Sequence, residues 1–222
     1  MKLKNYIAGQ WIEGSGNEIP LYNAVNGELV AVSDTEGIDF ESALHYGRTV
    51  GYKNLSSMTF YDRGEMLKKV ALYLLERKKK YYELSYKTGA THADSWVDIE
   101  GGFGTFFTYS GLAKRMLPNT PFWVDGDTQK ISANGTFLGT HILTPSEGVS
   151  VQINAYNFPV WGMMEKLSTS LLAGVPSIVK PATPGSYLTN AVFQDMIESG
   201  ILPEGAIQLV CGEPGNILDY VQ

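Results

Sequence analysis

The chain of 222 residues has one cysteine, Cys211, so it carries no internal disulfide framework, and a reducing compartment, the cytoplasm, is the expected setting. Basic charge is not in surplus: 17 Lys and Arg stand against 23 Asp and Glu, for a formal net charge of -6. That balance argues against a nucleic-acid footprint and against an anionic membrane surface. Long hydrophobic runs are missing too. The opening MKLKNYIAGQWIEG contains no uncharged apolar stretch of signal-peptide length, and no later run approaches a membrane span. No metal site is expected, and neither an internal repeat nor a low-complexity segment is visible.

The residues present fall into three parts. The first forty alternate short apolar pieces with Gly, Asn and Pro, which predicts small hairpins turned at the NG and GN dipeptides. From Asp39 the apolar spacing becomes helical. Phe60, Met66, Leu67, Val70, Leu74 and Leu75 line one face of a long helix that Gly89 closes. The basic run Lys78, Lys79 and Lys80 reads as a solvated face. A further helix starts near Asp94 and stops at Pro118. Its interior GGFG is costly, at roughly 1 kcal/mol per glycine relative to alanine, and implies either close packing on another backbone or room for a ligand. After Pro121, QKISANGTFLGTHIL predicts a hairpin turned at Asn134–Gly135, an excursion with no obvious cover from its own chain.

From Gly148 short apolar strands alternate with helices: GVSVQIN, PVWGMMEKLSTSLLAG, PSIVKP, GSYLTNAVFQDMIESG and AIQLVCG. That rhythm predicts an α/β fold with a parallel sheet, in which ligands bind beyond the carboxyl ends of the strands. The turn ahead of the first of these helices, NAYNFP, lacks the glycines usual in a nucleotide-binding turn and has two amides, two aromatics and a proline instead. Asn157 could donate its amide to a developing oxyanion, or serve as a helix cap or turn residue. Lys180 stands at the end of the next strand and could hold ribose hydroxyls or a phosphate, or lie along the surface.

Together these segments resemble the aldehyde dehydrogenase superfamily. YNFP is similar to the family's Trp-Asn-Phe-Pro segment and VKPA to its Lys-Pro-Ser/Ala segment, at the family's separation. GILPEGAIQLVCG resembles the family's next segment along the chain. The resemblance covers the whole chain. It is finer still in TGATHADSWVDIEGG and INAYNFPVWGMMEKL, which look like the dehydrogenase half of the bifunctional ring-opening proteins of phenylacetate degradation.

The resemblance implies a Rossmann-like cofactor-binding domain with N-terminal helices in residues 1–126, an oligomerisation hairpin in 127–147 and an incomplete βαβαβ segment in 148–222. It implies a nicotinamide dinucleotide along Ile153, Asn154, Ala155, Tyr156 and Asn157, at Lys180, Ala182 and Thr183, and at Gly212. Asn157 would complete the oxyanion hole and Lys180 would bind the adenosine ribose. The substrate implied is an aldehyde linked to CoA, and the assembly a homo-oligomer. Where members that prefer NAD commonly have glutamate, this chain has Thr183. That implies NADP, with NAD possible, unless Thr183 only caps the next helix. The family's glycine-rich turn, glutamate base and nucleophilic cysteine do not occur before Gln222, so the 222 residues alone are expected to be inactive. Cys211 sits in an apolar strand and reads as a small buried hydrophobe. The alternative reading is a non-catalytic nucleotide-binding or interaction module.

Overall fold

The computed structural model describes residues 1–220. The last two residues of the segment expected to run to 222 lie outside them. Two hairpins open the chain. Strands β1 (Asn5–Ile7) and β2 (Gln10–Ile12) join through Ala8 and Gly9, with φ values of 49° and 79°. Positive φ at both central residues gives the turn whose twist matches a two-residue hairpin. Neither NG nor GN makes this turn. Asn26–Gly27 belongs instead to the connection between β3 (Ile19–Tyr22) and β4 (Leu29–Ser33), where Gly27 has φ 75°.

The helical region is more broken than its spacing predicts. Helix α1 (Phe40–Tyr46) continues through a π-helical turn at Gly47–Gly51 into α2 (Tyr52–Ser56). Helix α3 (Phe60–Leu75) starts in a capping box in which Thr59 and Asp62 exchange hydrogen bonds. The single long helix expected to reach Gly89 is divided, because the chain bends at Arg77 before α4 (Lys78–Tyr86). The Arg77 guanidinium lies 3.5 Å from the centroid of the Tyr73 ring and donates to the Tyr73 carbonyl, while the Arg77 N–H donates to the Leu74 carbonyl three residues back. Beyond the bend, Tyr81 turns into the core and bonds Asp195. The lysine run is correspondingly not idle. Lys80 Nζ lies 2.7 Å from the buried Asp195 carboxylate, and Lys78 pairs with Glu100 at 2.9 Å. Helix α5 (His92–Trp96), capped by Thr91 and Asp94, runs through a second π-helical turn, Val97–Gly101, into α6 (Gly102–Met116).

Strands β5 (Trp123–Lys130) and β6 (Leu138–Leu143) form the expected antiparallel excursion. Then β7 (Ser150–Ile153), α7 (Pro159–Leu172), β8 (Ser177–Lys180), α8 (Ser186–Glu198) and β9 (Ile207–Leu209) succeed one another in the predicted alternation. The three strands are parallel, and the sheet order is β2-β1-β9-β8-β7. The first hairpin therefore extends the parallel sheet, with β1 antiparallel to β9. Successive residues of β8 point to opposite faces. Val179 joins a core with Leu67 and Val70 of α3, Phe103 of α6 and Met163 and Leu167 of α7, whereas Ile178 packs with Phe40 and Leu44 of α1. Helices thus cover both faces of an α/β sheet. Among the described residues no helix is long and apolar enough to cross a membrane.

Candidate functional site

The parallel register pairs Ile153 with Lys180, so the last residues of β7 and β8 stand side by side at the carboxyl edge of the sheet. The Asn154 N–H still donates to the Lys180 carbonyl, at 2.9 Å, before the two segments part. The candidate site lies in the loops beyond these two strand ends.

On the β8 side, Lys180 is only 5% exposed, and burial holds its ammonium below the ordinary lysine range. Its Nζ donates to the Pro181 carbonyl at 2.8 Å and to Thr183 Oγ1 at 3.3 Å. Thr183 Oγ1 in turn donates to the Gly212 carbonyl at 3.0 Å. Lys180, Thr183 and Gly212 thus form one hydrogen-bonded chain across the ends of β8 and β9. The Thr183 hydroxyl does not cap the next helix. The cap of the short 3₁₀ turn Thr183–Gly185 is Ala182, and it makes no side-chain capping bond. Gly212 has φ 149°, and a Cβ there would meet Thr35 Cγ2 at 2.8 Å, so only glycine fits this approach.

On the β7 side, Ile153 is half exposed, and Ala155 and Tyr156 lie in an open loop. Asn154 is the exception: it is buried, and neither its amide nitrogen nor its amide oxygen has a partner. A buried amide left unpaired is costly, which fits a group awaiting a polar ligand. Asn157 is exposed on the wall of a 360 Å³ cavity formed with Val97, Ala155, Phe158, Trp161, Gly162, Glu165 and Lys166.

Asn157 does not cap α7. The cap position is Phe158, which makes no side-chain bond, and Pro159 is the first helical residue. The N–H groups of Val160 and Trp161 donate instead to Asp98 Oδ1, at 3.0 and 2.8 Å. Burial pushes the Asp98 carboxyl up to about 6, against the pull of these two amides. The sequence reading missed Asp98, and it missed the cavity residues Trp161, Gly162, Glu165 and Lys166. The signal it did contain was the paired glycine after Asp98. A Cβ on Gly101 would lie 2.4 Å from Trp161 Cζ3, and one on Gly102 would lie 3.0 Å from Trp161 Cα. Close packing on a neighbouring element, rather than ligand space, accounts for those two glycines.

Cys211 is fully buried, and burial raises its thiol to about 12. A thiol so disposed is a packed hydrophobe and no nucleophile at neutral pH.

Residues 11–221 match the profile of the aldehyde dehydrogenase family. The chain belongs to the aldehyde dehydrogenase family. Over all of its length it is 39% identical to 3,4-dehydroadipyl-CoA semialdehyde dehydrogenase of Aromatoleum evansii, of which it covers 43%. It is 29% identical over 218 residues to betaine aldehyde dehydrogenase of Bacillus subtilis strain 168, covering 96% of this chain and 42% of that one. Among solved structures, 3,6-anhydro-L-galactose dehydrogenase in complex with NAP aligns with a TM-score of 0.85 at 27% identity, over 98% of this chain and 44% of that one. The chain therefore spans less than half the length of these aldehyde dehydrogenases. Its α/β sheet is the one that cofactor-binding domains of the family have. Members of the family use a nicotinamide dinucleotide. The orphaned Asn154 amide and the buried Lys180 fit such a ligand.

Proposed function

We propose that the chain is the N-terminal, cofactor-binding part of an NAD(P)-dependent aldehyde dehydrogenase that oxidises a CoA-linked semialdehyde to its acid. Its setting is the breakdown of aromatic compounds such as phenylacetate. The observation that carries this reading is the pairing of Ile153 with Lys180 at adjacent strand ends. It sets the Asn154–Asn157 loop beside the Lys180–Thr183–Gly212 chain, in the place where parallel sheets bind ligands. The relative from Aromatoleum evansii, named for a CoA semialdehyde, supports the substrate class. The residues on either side of the β5–β6 hairpin make up the cofactor-binding domain, and the hairpin, which begins at Trp123 rather than at the expected 127, serves assembly into a homo-oligomer.

In this reading the bound dinucleotide supplies the hydride acceptor. Lys180 and Thr183 hold its adenosine ribose, and Ile153 to Asn157, Ala182 and Gly212 line its path. Asn157 is the catalytic residue of this chain. Its amide N–H donates to the substrate oxygen as negative charge develops there, a contact stronger in the transition state than in the ground state. The test is Asn157→Ala in the complete polypeptide, assayed with a CoA-linked and a free aldehyde. Turnover is expected to fall by about 10²–10³ with KM little changed, as for loss of one oxyanion donor. A fall of less than a few-fold would make Asn157 a turn residue only.

A further inference from the structure

The first turn of an α-helix leaves its leading N–H groups without intrahelical partners. In α7 two such groups need a partner from elsewhere. Pro159 has no N–H, and the Gly162 N–H donates to the Phe158 carbonyl at 2.8 Å, leaving Val160 and Trp161. Both donate to one oxygen of Asp98, which reaches them from the π-helical turn Val97–Gly101, about sixty positions earlier in the chain. Asp98 is 4% exposed, so its bonds are shielded from water and strong. The approach depends on Gly101 and Gly102, which seat that turn directly on Trp161.

This arrangement constrains Asn157, which stands two residues before α7, in two ways. The amides of Val160 and Trp161 are already engaged and are not free to receive a substrate oxygen. The Asn157 side chain is exposed and does not cap the helix, so its position depends on where α7 begins. We infer that Asp98 is a positioning residue for catalysis, which fixes the start of α7 and with it the place of the Asn157 amide on the cavity wall. This rests on the reading of Asn157 given above. A misplacement of about 1 Å at a reacting centre costs on the order of 10²-fold in rate, so the loss of this tether reads out in turnover.

The experiment is a double-mutant cycle in the complete dehydrogenase, with kcat, KM and cofactor Kd measured for Asp98→Ala, Asn157→Ala and the double variant. Asp98→Ala is expected to lower kcat by at least about 10-fold, with KM and cofactor Kd within about 2-fold. The double variant should be no slower than Asn157→Ala by more than about 3-fold, because residues that act as a unit are not additive. Asp98→Asn keeps an acceptor oxygen in place and should recover most of the lost turnover. Unchanged kcat in Asp98→Ala, or losses that multiply in the double variant, overturns the inference. If Asp98→Ala does not fold, Asp98→Ser takes its place in the cycle with the same two criteria. Full activity in Asn157→Ala would refute the function proposed for Asn157. A slow Asn157→Ala beside a fully active Asp98→Ala would refute only the role of Asp98.

Discussion

In the cofactor site proposed above, Thr183 is the residue that decides which charge is tolerated. Its hydroxyl links Lys180 to the Gly212 carbonyl and brings no negative charge to the place where a ribose would lie. A carboxylate acting on Lys180 does exist one residue beyond Gly212, at Glu213, but it is exposed and its field is screened by water and salt. NADP is therefore the expected cofactor, with NAD possible. Thr183→Glu should weaken NADP by roughly 10-fold or more without weakening NAD, because the new carboxylate repels the 2′-phosphate and can accept a hydrogen bond from a ribose hydroxyl. Calorimetric titration of both cofactors into the complete polypeptide reads this directly, and an equal effect on both would sink the argument. Asp98 gives a second residue-scale expectation, in stability. Its folded carboxyl, at about 6, lies above the ordinary 3.8, so between those values the folded state binds more protons than the unfolded one. Stability from this group is present at pH 4 and is lost as pH rises through 6, by roughly 3 kcal/mol in all. Asp98→Asn does not titrate, so denaturant melts of the two proteins from pH 4 to 7 should show the wild type losing stability relative to the variant. Parallel curves would mean that Asp98 titrates normally.

At the scale of elements, the glycines where the Val97–Gly101 turn runs into α6 separate two effects that the sequence leaves mixed. Gly101 and Gly102 touch Trp161, and a methyl group there must displace a ring or a backbone. Gly104, in the same GGFG, has nothing within 4 Å of where a Cβ would be. Gly101→Ala should therefore destabilise the chain by about 1–3 kcal/mol through overpacking, less what alanine returns in helix propensity. Gly104→Ala should stabilise it by up to about 1 kcal/mol, since only propensity changes. Thermal unfolding of both variants decides the matter, and a destabilised Gly104→Ala would contradict the open surroundings. The same contrast shows what was legible. The periodicities of β7, α7, β8, α8 and β9 appear in the sequence because each element buries a continuous apolar set beside its neighbours in the chain. The burial of Tyr81, the pairing of β1 with β9 and the capping of α7 by Asp98 do not appear. Each depends on a partner far away in sequence, such as Asp195 for Tyr81 or Leu209 for Tyr6. The placement of Asn157 between β7 and α7 and of Lys180 at the end of β8 was readable because strand ends are local, whereas the Thr183 bond to Gly212 joins two strand ends and was not.

At the scale of the whole molecule, the sheet and its helices close on themselves, whereas the β5–β6 hairpin does not. Every residue of β5 is exposed, and Trp123, Val124, Ile142 and Leu143 are each at least 40% exposed. Phe137 and Leu138 near the turn reach 70% and 62%. An apolar two-stranded ribbon with both edges open is marginal alone and is a template for pairing with another chain. The α/β body, by contrast, keeps its core in α3, α6, α7 and the sheet, none of which draws its buried residues from this hairpin. On the assembly role proposed for the hairpin, assembly and folding are therefore separable. Replacing residues 128–143 by a short turn should lower the solution mass toward that of a monomer, while the far-ultraviolet circular dichroism and cooperative melt of the α/β body persist. Sedimentation of the parent and the shortened protein at matched concentrations makes the comparison. A parent that self-associates and a shortened protein of unchanged association state would place the contact on another surface and remove the hairpin's role in assembly.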